Sequence, residues 1–380
     1  MMERVANLPS KQLSQKYYKH IMPWDVVANL LRILDGPIVS LDTMLTTRMD
    51  TKIRNRSYRS FKEFVNFIIK TTPVQIDIGG FLPSFKMQEW RAKGPKDAFP
   101  TINLIKIDVD YKDYEGEFKG MPGIREYLPC NHDTKVEACP NCWKFILKPS
   151  LKILMFMLKR VFGLQNLLVS YSGKKGYHIR ILDSICYTNH MDRESRSAFL
   201  KIINKGPGNE ELWTELQDTI LIPYFRQYIT PEKDIIFPKE CFAYAYKNVI
   251  GTSMPQKLSS FTSTKKFIRY MARHVDIPTK KKILSNVAMC IIWPRLDESV
   301  TESAGHLLKA LFSIHPGTGN IAAPILDWET YDCQKDKLTL ENVCRNPSIM
   351  APHVDLARNM VAKTLGEQQR EIIKPGKLSV

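Results

Sequence analysis

The chain has 380 residues, enough for a sizeable core and for a main domain with one substantial insertion or appendage. Lys plus Arg number 55 against 39 Asp plus Glu, a formal charge of +16 that favours an anionic partner such as nucleic acid, the plainer reading being a basic and merely soluble protein. No run of roughly 18 uncharged apolar residues is present, which argues against a membrane span, and MMERVANLPSKQLSQKYYKH lacks the apolar core of a signal peptide. An intracellular, reducing setting is therefore expected, in which the eight cysteines are thiols or metal ligands rather than a disulfide framework.

Polar and apolar residues alternate at helical spacing from Leu13 to Leu34, and YYKHIMPW within that stretch offers Tyr17, Tyr18 and Trp24 as core anchors rather than base-stacking residues. RMDTKIRNRSYR, Arg48 to Arg59, carries four arginines and one lysine without apolar periodicity, the pattern of a solvated loop, although arginines entering a helix also hold phosphate. Ser60 to Thr71 reads as a helix: Ser60 and Glu63 form a capping-box pattern, and Phe61, Phe64, Val65 and Ile68 recur on one face. VQIDIGGFLP, Val74 to Pro83, predicts a strand ending in a glycine turn. Its Asp77 is read as structural, with a third carboxylate at the site as the alternative.

LIKIDVDYKDYEG, Leu104 to Gly116, opens as a buried strand. Alternation places Asp108 and Asp110 on one side and Ile105, Ile107 and Val109 toward the core. Neighbouring carboxylates repel unless a cation lies between them, so the companion of this geometry is a divalent metal held by hard oxygens; a solvated strand end is the plain alternative. In CNHDTKVEACPNCW, Cys139 and Cys142 form a C-x-x-C knuckle that commonly grips zinc, and Cys130 with His132 supplies the two further ligands of a closed structural site.

Cys142 to Phe162 predicts a long helix stopped by Gly163 and kinked or divided at Pro149. In LLVSYSGKKGYHIRILD, Leu167 to Asp183, two apolar strands flank the turn SGKKG, whose glycines permit positive φ and whose backbone N–H groups offer an anion cradle. Lys174 and Lys175 add charge there, and His178 and Arg180 share a face of the outgoing strand. The functional reading places a triphosphate between Ser172, the two lysines and His178; the plain one is a hairpin with a solvated basic tip.

From Ser184 to Ala288 the pattern turns helical without apparent site chemistry. Near its end Lys265, Lys266, Arg269 and Arg273, followed by Lys280 to Lys282, read equally as a track for a nucleic-acid backbone and as a solvated helix face. Beyond it, WPRLDESVTESAGHLLKALFSIHPGTGNIAAPI places Asp297 after an apolar segment, His306 and Lys309 three apart on one helix face, His315 ahead of the turn PGTGN, and a strand over Ile321 to Ile325. The tail beyond Arg358 is polar and basic, and fraying is expected there.

The ordered set YYKHIMPW, IDIGG, IDVDYKDY, CPNCW, YSGKKGYH and PRLDESVTESAGHLLKALFSIHPGTG resembles the small catalytic subunit of the eukaryotic and archaeal DNA primase, over roughly residues 15 to 330, with the eukaryotic form nearest. The resemblance implies an α+β archaeo-eukaryotic primase core of mixed small sheets with flanking helices, a helical insertion and a zinc knuckle. Residues 1–185 would form the first part of the core, with the zinc module near 130–142. Residues 186–288 would be the insertion, 289–360 the second part of the core and 361–380 a flexible tail.

The resemblance further implies that Asp108, Asp110 and Asp297 hold two Mg²⁺ or Mn²⁺ ions. Ser172, Lys174, Lys175, His178, His306, Lys309, His315 and Arg54 would bind the nucleotide, and Cys130, His132, Cys139 and Cys142 structural Zn²⁺. The paired arginines usual in the family's SG-x-x-G turn are lysines here, which keep the charge and lose bidentate phosphate binding.

The implied reaction is synthesis of short RNA primers from ribonucleoside triphosphates on single-stranded DNA. Implied partners are the large iron–sulfur subunit and the DNA polymerase alpha complex, with no membrane. The nucleus is the implied compartment, or a virus the origin. The alternatives are a primase-polymerase using deoxynucleotides in repair and an inactive zinc-containing nucleic-acid-binding protein.

Overall fold

A computed structural model describes residues 8–30, 41–54, 56–81, 104–124, 127, 139–183, 186, 192–229, 238–303 and 306–373. It is a mixed α+β chain that divides into two compact units. The first comprises 1–108, 164–200 and 297–380, the second 109–163 and 201–296.

The first unit carries an antiparallel sheet in the order β2-β1-β3-β7, built from β1 (Leu41–Thr46), β2 (Lys52–Arg54), β3 (Gln75–Phe81) and β7 (Leu308–Lys309). A second sheet has the order β4-β6-β5, from β4 (Ile105–Asp110), β5 (Leu167–Tyr171) and β6 (Gly176–Ile181). The last two residues of β4 belong to the second unit.

Helices Lys11–His20 and Trp24–Leu30 and helix Phe61–Thr71 bury an aromatic cluster of Tyr17, Tyr18, Tyr58 and Phe64. Tyr17 and Tyr18 are anchored: the Tyr17 hydroxyl donates to the Phe312 carbonyl at 2.8 Å and the Tyr18 hydroxyl to that of Pro73 at 3.0 Å. Helix Phe61–Thr71 starts as its capping pattern predicts. Ser60 Oγ accepts from Glu63 N at 3.2 Å, and the Glu63 carboxylate reaches back to Arg59 N at 2.5 Å.

Four local expectations are corrected. The basic stretch Arg48–Arg59 is not all loop, because Lys52–Arg54 pairs with β1 as an edge strand, where polar side chains keep their solvent. Gly79 and Gly80 do not turn the chain; β3 runs through them to Phe81, with an irregular register opposite Leu41 and Thr43. His306 and Lys309 share no helix face, since helix Glu298–Glu302 ends at Ser303 and Lys309 lies in β7 opposite Asp77. Ile321–Ile325 forms only isolated bridges, Ile314 with Ile321 and Ser170 with Pro324.

The second unit is mainly helical. Pro140–Cys142, a widened π turn at Trp143–Leu147, the α-helix Lys148–Phe156 and a second π turn at Met157–Val161 follow without a break, and Gly163 at φ +71° ends the run. Pro149 therefore does not divide the helix. Its missing N–H leaves the Phe145 carbonyl without the usual helical donor, and the buried Tyr224 hydroxyl supplies one at 2.8 Å. Helices Lys239–Ile250, Thr264–His274 and Ile277–Ile292 pack around Phe242 and Phe267, whose rings lie 4.1 Å apart. Among the described residues no helix is long and apolar enough to cross a membrane.

Tyr224→Phe removes only that hydroxyl. It is expected to lower stability by about 1–3 kcal/mol, the cost of a buried carbonyl left without a partner, read as a lower urea midpoint at unchanged m-value.

Candidate nucleotide and carboxylate site

Within the first unit Asp108 and Asp297 meet although 189 positions separate them in sequence: the Asp297 N–H donates to the Asp108 carbonyl at 3.0 Å. Asp108 faces His178, whose Nε2 lies 3.4 Å from Oδ1. Burial, together with the positive Arg180 and Lys309 and the neighbouring His315, pushes the His178 pKa well below the usual histidine value, so its imidazole is neutral. The Asp297 carboxylate accepts from Ser299 N at 3.2 Å and Ser299 Oγ at 2.5 Å, and the same hydroxyl lies 3.4 Å from His306 Nε2.

Asp110 closes β4 two residues beyond Asp108. The burial of the strand alternates as expected there, Ile107 and Val109 being buried and the two aspartates half-buried. The Asp110 carboxylate caps the following turn by accepting from Lys112 N at 3.0 Å. In the second unit, the segment after Asp110 is stitched to the one before Asp297. The guanidinium of Arg295 donates to the carbonyls of Gly116, Pro122 and Cys290 at 2.6, 2.8 and 3.0 Å and lies 5.1 Å over the Tyr114 ring.

The SGKKG hairpin forms as predicted, with Ser170 opposite His178 in the ladder. Ser172 Oγ turns inward and accepts from Gly176 N at 3.0 Å, while Lys174 and Lys175 stay half-exposed at the tip. Lys309 Nζ reaches the Ser172 carbonyl at 2.8 Å, and Arg180 Nη2 donates to the Lys309 carbonyl at 2.5 Å. Arg180 is buried yet remains a cation, because burial lowers its pKa only to about 10 and Asp108 opposes the shift. Gly173, at φ +91°, lies against His315, and its carbonyl accepts from Thr318 Oγ1 and Asn320 Nδ2 at 2.7 and 2.9 Å.

The four-stranded sheet adds a cross-strand row: Arg54 of β2 is level with Met44 of β1, Met44 with Asp77 of β3, and Asp77 with Lys309 of β7. Residues level with one another share a face. Arg54, Met44 and Asp77 of this row line a cavity of about 490 Å³ together with Gln75, His306 and Leu307. Burial raises the Asp77 pKa, while the Gln75 amide, at 2.7 and 2.8 Å, and the cations Lys309, Lys52 and Arg54 oppose the rise.

The structure thus gathers Asp108, Asp297, His178, Ser172, Lys309 and His315 around one hairpin, and Arg54 and His306 around the adjoining cavity. Arg180 and Asn320 had no assigned role at the sequence level; only the period-two spacing of Arg180 from His178 pointed toward the site. Among the described residues, no three His, Cys, Asp or Glu side chains converge tightly enough to enclose an ion. Of the expected zinc ligands, Cys139 and Cys142 have their sulfurs 3.0 Å apart without a disulfide, and Cys130 and His132 lie outside the described residues.

Two measurements probe this packing. An alanine Cβ at position 173 would sit 2.8 Å from His315 Cβ in a left-handed backbone, so Gly173→Ala is expected to lose about 1–3 kcal/mol in urea unfolding. Burial, with Lys309 and Lys174 nearby, lowers the His315 pKa to about 2. The unfolded state therefore binds the proton first, and the stability from this group, full above about pH 6.5, falls by up to about 1.4 kcal/mol per unit as the pH drops toward 5. His315→Gln should flatten the pH dependence of the urea midpoint by that amount.

The family model described as DNA primase small subunit matches residues 107–326, more than half of the chain. The chain is 26% identical over 309 residues to the DNA primase small subunit of Caenorhabditis elegans, covering 73% of this chain and 72% of that protein. It is 23% identical over 341 residues to that of Schizosaccharomyces pombe, covering 82% and 72%. With that of Saccharomyces cerevisiae the identity is 24% over 358 residues, covering 84% and 82%. The paired carboxylates, the basic hairpin and the matched span lead to one assignment: the chain belongs to the DNA primase small subunit family.

Proposed function

We propose that this protein is the catalytic subunit of a primase that makes short RNA primers on single-stranded DNA by nucleotidyl transfer. The observation that carries the reading is the junction of Asp108 and Asp297 next to the SGKKG hairpin, supported by the family match. Asp108, Asp110 and Asp297 offer hard oxygen donors suited to Mg²⁺ or Mn²⁺. Bound there, a pair of such ions would acidify the attacking 3′ hydroxyl and stabilise charge on the leaving pyrophosphate.

The chain's own groups do the remaining work. His178 buttresses Asp108, and its contact with the carboxylate orients that side chain. Lys174, Lys175 and Lys309 supply point charges for a triphosphate, and the hairpin backbone supplies N–H donors. Arg54 and His306 line the cavity that Asp77 also borders and would hold the rest of the nucleotide. Cys139 and Cys142 would contribute two sulfur ligands to a structural zinc site with Cys130 and His132. The same proposal includes residues 186–288 as a helical insertion, a large iron–sulfur subunit and the DNA polymerase alpha complex as partners, and a nuclear location.

The test is primer synthesis on poly-dT with ATP and Mg²⁺ or Mn²⁺. Asp108→Ala and Asp297→Ala are each expected to reduce synthesis at least ~100-fold while leaving template binding intact, and Lys309→Ala to raise the KM for ATP about tenfold. A strong preference for dATP would replace the primase by a deoxynucleotide polymerase. Template binding without synthesis by the wild type would leave a binding protein.

A further inference from the structure

We propose that helix Thr264–His274, with the start of helix Ile277–Ile292, is a docking face for single-stranded template DNA, an assignment that rests on the template-directed reading above. Thr264, Phe267 and Met271 are buried and fix one side of the helix in the second unit. Lys265, Lys266, Arg269 and Arg273 are exposed on the other. The helix contains no acidic residue. Between Lys257 and Lys282 the only acid is Asp276, and it is occupied as a helix cap, accepting from Thr279 N at 2.9 Å.

This ridge differs from an ordinary solvated face. Lys281, a few residues on, pairs with Asp218 at 2.7 Å, whereas among the described residues no ion pair involves Lys265, Lys266, Arg269 or Arg273. Positions 265, 269 and 273 stack in steps of ~6 Å along the helix. Like charges at that spacing repel one another, and a polyanion relieves the repulsion while releasing its own counterions.

The neighbouring aromatics favour an unpaired strand over a duplex. The Tyr270 and His274 rings stack at 3.9 Å and 5°, Phe261 meets Tyr270 edge-on, and Lys257 Nζ lies 6.0 Å from the Tyr270 ring. His274 is exposed and next to the cations. Bases can stack there only if they are not already paired. Ile277, 75% exposed, extends the apolar part of the surface.

Fluorescence anisotropy of labelled oligo-dT of about 30 nucleotides with the full chain, from about 50 to 200 mM salt, tests the ridge. K265Q/R269Q/R273Q replaces exposed side chains and leaves Phe267 and Met271 in place. It should weaken binding at least about tenfold at the lowest salt. It should also make the slope of log affinity against log salt shallower by about 2, the loss of three phosphate contacts. His274→Ala should cost about fivefold or more, and a matched duplex should bind more weakly than the single strand.

Unchanged affinity and slope in the triple variant would overturn the proposal. So would displacement of oligo-dT by poly-glutamate of equal charge as effective as that by unlabelled oligo-dT, which would mark a face for an acidic protein. The two readings fail separately: absent synthesis with this binding pattern intact sinks the polymerase and keeps the ridge, while normal synthesis with no effect of the triple variant does the reverse.

Discussion

The buried Arg180 guanidinium joins the two sheets of the first unit. One arm donates to Ser170 on the neighbouring strand at 3.1 Å and the other to the carbonyl of Lys309 on β7. Removing an arginine from water is costly unless its donors are satisfied and a countercharge is near. Here Ser170, a main-chain carbonyl and Asp108 meet that requirement together. Lys309 answers in the opposite direction through Ser172, so hairpin and edge strand are tied at two points. The placement of Asp108, His178 and Lys309 follows from this pair of links.

Several elements are legible from local chemistry alone. The β5–β6 hairpin announces itself because two apolar runs flank a turn with glycines at both ends, and Gly173 takes the positive φ that the turn needs. The D-x-D strand follows from period-two burial, and helix Phe61–Thr71 from its Ser60 cap. Each depends on neighbours within a few residues, the range over which pattern and capping act.

What the pattern misses is made by partners distant in sequence. Lys52–Arg54 and Leu308–Lys309 are too short and too polar to look like strands; pairing with β1 and β3 makes them so. His306 and Lys309 have helical spacing, yet Ser303 ends the helix first and β3 captures the residues beyond. Arg180 was visible as a neighbour of His178, but the carbonyl that receives it lies 129 residues away. At Pro149 the residue correctly signals a lost backbone donor, while the remedy comes from Tyr224 on another helical segment.

The bond from Asp297 to Asp108 runs between main-chain atoms. The meeting of those two backbones is consequently a property of the scaffold. Exchanging either acid for a neutral residue leaves that main-chain bond in place, at the cost of the countercharge to Arg180 in one case and of the cap on helix Glu298–Glu302 in the other.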